Sequence, residues 1–109
     1  MNVRFYIWQR ATAAVMLPMI LVHLVVIFYA MNHQLTAADI LSRTQGSIAW
    51  GLFYGLFVVL ASIHASIGVS NILREWGHMK ARLAEMAASA LGVTLLVLGL
   101  RAVAAVVLP

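Results

Sequence analysis

The chain has 109 residues, of which 64% are hydrophobic and 9% are charged, and it contains no cysteine. Soluble domains average about 45–50% apolar and about 25% charged residues, so this composition indicates a membrane protein rather than a soluble domain. The formal net charge is +4, but basic residues scattered through so apolar a chain form no basic face, which argues against nucleic-acid binding. The lack of cysteine excludes disulfides and thiolate metal sites.

The first apolar stretch covers about residues 11–31. A bilayer core of about 30 Å needs roughly 20 helical residues, so this stretch is long enough to cross. Pro18 lies inside it, and we expect a kink there, which neighbouring helices make tolerable. In the polar segment that follows, Thr36 and Asp39 have the spacing of a capping box. That pattern predicts a short helix lying on the membrane surface.

Two further apolar stretches cover about 48–73 and 84–108. With the first they predict an all-α membrane protein, a single transmembrane anchor domain over residues 1–109. The basic residues divide unevenly between the two sides of the membrane, with Arg4, Arg10, Arg74, Lys80 and Arg82 on one side and only Arg43 and Arg101 on the other. The positive-inside rule then predicts a cytoplasmic N-terminus and a C-terminus on the opposite side.

His64 lies within the second predicted span, about 15 Å below the boundary marked by Arg74. Ala61 and Gly68 share its helical face, and residues this small let a flat macrocycle or another helix approach closely. Two interpretations stay open. His64 either forms a hydrogen bond to a neighbouring helix or is an axial ligand of haem iron. Packed helices lie only about 8–10 Å apart, so a second axial ligand would come from another subunit.

The other ionisable residues near or within the spans carry similar alternatives. His23, at a depth similar to that of His64, is either a second haem ligand or a hydrogen-bonded structural residue. Arg101 near one boundary and Arg10 near the other either extend into the headgroups or pair with haem propionates. His33, in the first connection, is expected to be solvated.

The second span ends in Glu75 and Trp76. A tryptophan at this depth is either an interface anchor or one wall of a quinone site, to which its indole N–H could donate. The chain offers three apolar helices and no domain outside the membrane. We therefore expect it to be a subunit that anchors, or holds a cofactor for, a larger complex.

Two motifs carry a resemblance to a known family. The segments "RATAAVMLPMILV" at 10–22 and "IHASIGVSNILREW" at 63–76 resemble the D-type (cytochrome b) small membrane-anchor subunit of succinate dehydrogenase and fumarate reductase. The resemblance implies that His64 is an axial ligand of haem b, with the partner histidine in a second, C-type anchor subunit. Glu75 and Trp76 stand where the family has an aspartate and a quinone-binding tyrosine, so the tyrosine hydroxyl is missing here.

The same resemblance implies the wider setting. Iron–sulfur and flavoprotein subunits would dock on the cytoplasmic side of a bacterial inner membrane, and electrons would pass between succinate or fumarate and quinone within the lipid. Two alternatives remain. One is a cytochrome b subunit of another quinone-linked dehydrogenase, and the other is a membrane assembly protein without haem.

Overall fold

A computed structural model describes residues 3–109 of the chain. It contains the helices α1 (Val3–Asn32), α2 (Ala37–Thr44), α3 (Ile48–Glu75) and α4 (Ala81–Val107). The long helices α1, α3 and α4 have 30, 28 and 27 residues, and all three are long and apolar enough to cross a membrane. The predicted all-helical fold with three membrane-spanning helices is confirmed.

The helices extend beyond the predicted spans. At 1.5 Å per residue they are about 40–45 Å long, against about 30 Å for a bilayer core. α1 begins at Val3, well before the predicted start near residue 11, because a helix continues through polar residues that a hydropathy window excludes. It runs without interruption through Pro18, and the expected kink stays a prediction.

α3 packs against both α1 and α4, and its contact with α4 is the more extensive. Small residues form this second interface. Gly92 lies against Ser62 and Ser66, and Gly99 lies against Val58. Small side chains allow two membrane helices to approach closely enough for backbone atoms to take part in packing. The Ser66 hydroxyl accordingly donates to the Ala88 carbonyl at 3.0 Å.

α2 begins with the capping box that the sequence predicted. The Thr36 hydroxyl accepts from the Asp39 backbone N–H, and the Asp39 carboxylate accepts from the Thr36 backbone N–H at 2.8 Å. At the other end of α2, the Thr44 hydroxyl donates to the Val106 carbonyl at 2.6 Å, and the Gly46 N–H donates to the Val107 carbonyl at 2.7 Å. The last carbonyls of a helix lack partners within it, so these bonds cap α4.

The chain buries very little apolar surface by itself. Within residues 3–109 the buried apolar residues are Met16, Met19, Ala84 and Ala88. Most leucines, isoleucines and valines of the three long helices point outward, as expected for helices surrounded by lipid or by other transmembrane helices. The α2 end of the bundle is hereafter the end where α1 and α4 finish, and the 76–80 end is the opposite one.

Candidate functional site

His64 lies on the face of α3 that packs against α1. Its Nδ1 is 3.2 Å from the hydroxyl oxygen of Thr12, a residue of α1 that is only 1% exposed. The imidazole itself is half-buried. The hydrogen bond therefore joins the two helices at the depth where the sequence suggested either a structural histidine or an iron ligand.

The surroundings of Thr12 favour one tautomer of His64. The Thr12 hydroxyl approaches the Trp8 carbonyl at 2.8 Å and the Gln9 carbonyl at 3.1 Å. A hydroxyl has a single proton, and a carbonyl can only accept, so this proton is directed to the backbone and the oxygen is left to accept from His64. Nδ1 then carries the imidazole proton and Nε2 carries the lone pair.

The Nε2 atom of His64 is neither buried nor hydrogen-bonded within residues 3–109. Histidine ligands of metals commonly donate their other ring N–H to a protein acceptor, which fixes the ring and makes the ligating nitrogen more basic. The His64 and Thr12 pair has this form, so its donor set fits an axial haem ligand. The same bond also fits a purely structural histidine.

Gly68 lies one turn from His64, but α1 already covers it. A Cβ atom added at Gly68 would lie 3.1 Å from the side-chain nitrogen of Gln9. The glycine therefore serves the approach of α1 to α3, which was one of the two uses that the sequence allowed for it. The side-chain oxygen of Gln9 is buried and has no hydrogen-bond partner within the described residues.

His23 occupies a different place, towards the α2 end. Its ring contacts Tyr54 edge-on, with 5.7 Å between ring centres, and Phe57 at 6.1 Å. Its Nδ1 is buried without a partner in residues 3–109. His23 also lines a cavity of about 450 Å³ between the helices of this same chain, hereafter the His23 cavity.

The two arginines proposed as propionate partners are both exposed. The Arg10 guanidinium carbon lies 5.5 Å from the centre of the Tyr6 ring, a cation–π contact within the first turns of α1. Arg101 makes no hydrogen bond within the described residues. These positions agree with side chains that extend to the membrane surface.

Glu75 and Trp76 end α3 at the 76–80 end. Trp76 is 80% exposed and lines none of the cavities described here. Glu75 is exposed as well. His33, expected to be solvated, is exposed but also stacks on Tyr29 with 4.0 Å between ring centres.

A groove at the 76–80 end was not predicted from the sequence. It has a volume of about 130 Å³, and Ser70, Arg74 and Glu85 are among its lining residues. Arg74 donates to the Asn71 side-chain oxygen at 3.2 Å, but its Nε is buried without a partner in residues 3–109. Phe5 and Ser66 also line an adjoining, largely apolar cavity of about 450 Å³. We call the two together the Arg74 groove. The serines that line the groove recur at helical spacing, and this pattern is the feature of the sequence that could have indicated a polar groove here.

Within residues 3–109, no group of three or more histidine, cysteine, aspartate or glutamate side chains could hold a metal ion. A haem ligand supplies only one side chain to the iron from each side, so this finding concerns other kinds of metal site. No protein-family model, curated protein or solved structure matches the chain. The family resemblance rests on the two sequence motifs alone.

Proposed function

We propose that the chain is a haem b-holding membrane-anchor subunit of a succinate:quinone oxidoreductase. It would share the haem with a second anchor subunit, and iron–sulfur and flavoprotein subunits would dock at the 76–80 end. The proposal is supported most by the hydrogen bond from His64 Nδ1–H to Thr12, which leaves Nε2 free to ligate. The motif around His64 and the outward-facing apolar side chains of the three helices also support it.

Each residue has a distinct part in this proposal. His64 would hold the iron from one side, and Thr12 would position its imidazole. The bound haem would supply one-electron transfer. We propose one haem rather than two, because His23 lines a cavity between helices of this chain, whereas a shared haem needs a ligand that faces the partner subunit.

The test is haem content in the assembled complex. The full chain, tagged, is purified from its native membranes with the subunits that it retains, and haem is quantified per chain with a reduced-minus-oxidised spectrum. We expect His64→Ala to lose the low-spin signal. His33→Ala should keep it, because His33 is exposed at the other end of α1. His64→Met should retain haem with a raised potential, since methionine can ligate iron.

Several outcomes would overturn the proposal. They are a wild-type complex without haem, a full haem complement in His64→Ala, and a shared loss in His64→Ala and His33→Ala. Loss of one of two haems in His23→Ala would overturn the single-haem version.

A second pair of variants separates a positioned ligand from a structural bond. Thr12→Val removes the acceptor from His64 Nδ1–H, and loss of such a partner typically weakens metal binding by about 10–100-fold. Thr12→Ser restores the hydroxyl and should restore affinity and potential. If Thr12→Val destabilises the chain but leaves haem affinity and potential unchanged, the bond is only structural. In that case Thr12 takes no part in positioning the iron ligand.

We further propose that quinone binds in the Arg74 groove rather than against Trp76. Arg74 lines this groove, and its Nε has no hydrogen-bond partner within residues 3–109, so its guanidinium has N–H capacity left for the donor that a quinone carbonyl needs. A charged hydrogen bond makes roughly a tenfold difference in binding, so Arg74→Gln should raise the KM for quinone by about that factor. Arg82→Gln, at the same end and exposed, is the matched control. A raised KM in Trp76→Phe with none in Arg74→Gln would place the quinone at Trp76 instead.

A further inference from the structure

The His23 cavity lies at the α2 end, between all four helices. Its volume of about 450 Å³ is within the range of about 300–1,000 Å³ found for ligand sites. Most of its lining is aliphatic or aromatic, and the polar residues that reach it are His23, Arg43, Thr44 and Tyr54. It has the composition of a site for an apolar molecule with a polar end.

Two polar atoms of the residues that line this cavity are buried without partners within residues 3–109. They are Nδ1 of His23 and Nε of Arg43. Buried polar atoms in native proteins nearly always have a hydrogen-bond partner, so each such atom needs an explanation. The Thr44 hydroxyl is already used, because it donates to the Val106 carbonyl at 2.6 Å. A ligand in the cavity could bond to the side chains of His23 and Arg43, which both line it.

The charge at the α2 end of the cavity is positive. The Arg43 guanidinium carbon lies 4.7 Å from the centre of the Trp50 ring, which holds the side chain in place. Asp39, the acidic residue of α2, is engaged by the Thr36 backbone N–H at 2.8 Å and the Thr36 hydroxyl at 2.9 Å. Arg43 is therefore available to an external anion at the end of the bundle where α2 lies.

His23 lies farther into the bundle than Arg43. Contacting rings connect the two: Trp50 and Tyr54 are stacked with their centres 5.5 Å apart, and Tyr54 meets His23 edge-on with their centres 5.7 Å apart. A ligand that satisfies both must carry an anionic group, then a neutral acceptor, then an apolar chain. An acidic glycerophospholipid has this order of groups: a phosphate, an ester carbonyl and an acyl chain.

We propose that the His23 cavity is a specific binding site for an acidic phospholipid. The phosphate pairs with the Arg43 guanidinium, and a charge-assisted bond of this kind is among the strong ones. An ester carbonyl accepts from the His23 imidazole N–H, and an acyl chain fills the apolar remainder. The inference does not depend on haem binding, and it gives His23 a role other than iron ligation.

The test measures lipid preference at Trp50. In the full chain with Trp8→Phe and Trp76→Phe, Trp50 is the one remaining tryptophan. The chain is placed in phosphatidylcholine nanodiscs, and acyl-brominated phosphatidylglycerol or acyl-brominated phosphatidylcholine is titrated in. We expect the brominated phosphatidylglycerol to quench Trp50 at roughly fivefold lower mole fraction, the preference that one arginine can provide.

Three variants locate the site. Arg43→Gln should abolish it, whereas Arg101→Gln should keep it, because Arg101 is exposed and does not line the cavity. His23→Phe should reduce the phosphatidylglycerol that co-purifies with the complex while leaving haem per chain unchanged. A fall in haem would instead assign His23 to iron.

Other results would overturn the proposal. Equal quenching by the two lipids would mean that the cavity holds only unselected bilayer lipid. A preference that survives in Arg43→Gln, or is lost equally in Arg101→Gln, would mean that it comes from general surface charge. Displacement of the phosphatidylglycerol by an equimolar free fatty acid would show a site for simple carboxylates with no need for the ester carbonyl.

Discussion

Gly99 on α4 has the tightest surroundings of the glycines at the α3–α4 interface. A Cβ atom added there would lie 2.5 Å from one methyl carbon of Val58, 3.0 Å from the other and 3.3 Å from its Cβ. Valine cannot rotate away easily, because a β-branched side chain in a helix has one strongly preferred rotamer. Gly99→Ala must therefore push α3 and α4 apart by close to 1 Å, the shortfall from an ordinary carbon–carbon contact of about 3.5–4.0 Å.

The magnitude follows from a matched comparison. Forcing an extra methyl group into a well-packed interface typically costs about 1–3 kcal/mol. Replacing glycine by alanine in a helix also gains about 1 kcal/mol of intrinsic propensity, which must be removed from the measurement. Gly55→Ala provides this reference, since a Cβ at Gly55 has no neighbour within 4 Å in the described chain. We expect Gly99→Ala to be about 1–3 kcal/mol less stable than Gly55→Ala.

The assay is equilibrium unfolding of the full chain by SDS in mixed micelles, followed by tryptophan fluorescence. Gly92→Ala provides an intermediate point, because its added Cβ would lie 3.1 Å from the Ser66 Cβ and 3.3 Å from its hydroxyl oxygen. The expected order of stability is Gly55→Ala, then Gly92→Ala, then Gly99→Ala. Equal stability of the first and last variants would show that α3 and α4 do not pack through these residues.

Other contacts give smaller, separable effects. Ser66→Ala removes the donor to the Ala88 carbonyl and should cost roughly 0.6 kcal/mol in the same SDS titration, and no change would show that the bond contributes nothing. Thr44→Val leaves a carbonyl at the end of α4 without its donor, so amide exchange in the last turn of α4 should become faster, and unchanged protection would contradict this cap. Hydrogen bonds from the backbone N–H and then the hydroxyl of Thr36 lower the pKa of Asp39. The capping box should therefore contribute fully above the ordinary aspartate pKa and be lost as pH falls through the lowered one, which the Thr36 amide shift in NMR would follow. A titration midpoint at the ordinary pKa would contradict it.

The number and order of the helices could be read from the sequence because they depend on local properties. Long apolar runs favour helices that satisfy their own backbone groups in lipid. The predicted stretches 11–31 and 48–73 lie within α1 and α3, and 84–108 matches α4 to within one residue at its end. The capping box of Thr36 and Asp39 could also be predicted from the sequence, because its hydrogen bonds join residues in a single helical turn. The start of α1 could not be predicted in the same way, because hydropathy indicates which residues lie in the bilayer core and not where the helix begins.

The candidate site could be predicted only in part from the sequence. The motif identified His64 as a candidate functional residue. It does not predict that His64 hydrogen-bonds to Thr12, which is 52 positions away in sequence. For the same reason the sequence left both uses of Gly68 open, and the structure shows Gln9 against it. The motif predicted a role for Trp76 at the quinone, yet Trp76 is 80% exposed. The buried N–H without a partner in residues 3–109 belongs to Arg74, two residues earlier.

The sequence by itself determined that this is a helical membrane protein, where its helices lie and which histidines are costly enough to need a partner. Those properties follow from hydropathy and short-range spacing, which depend only on residues close together in sequence. Only the tertiary structure decided what lies beside the two histidines within the predicted spans: Thr12 beside His64, and beside His23 a partly open cavity that Arg43 also lines. The physical reason is that each side chain of a helix points in a direction fixed by its position in the helix. Which residue it meets there depends on how α1 and α2 pack against α3.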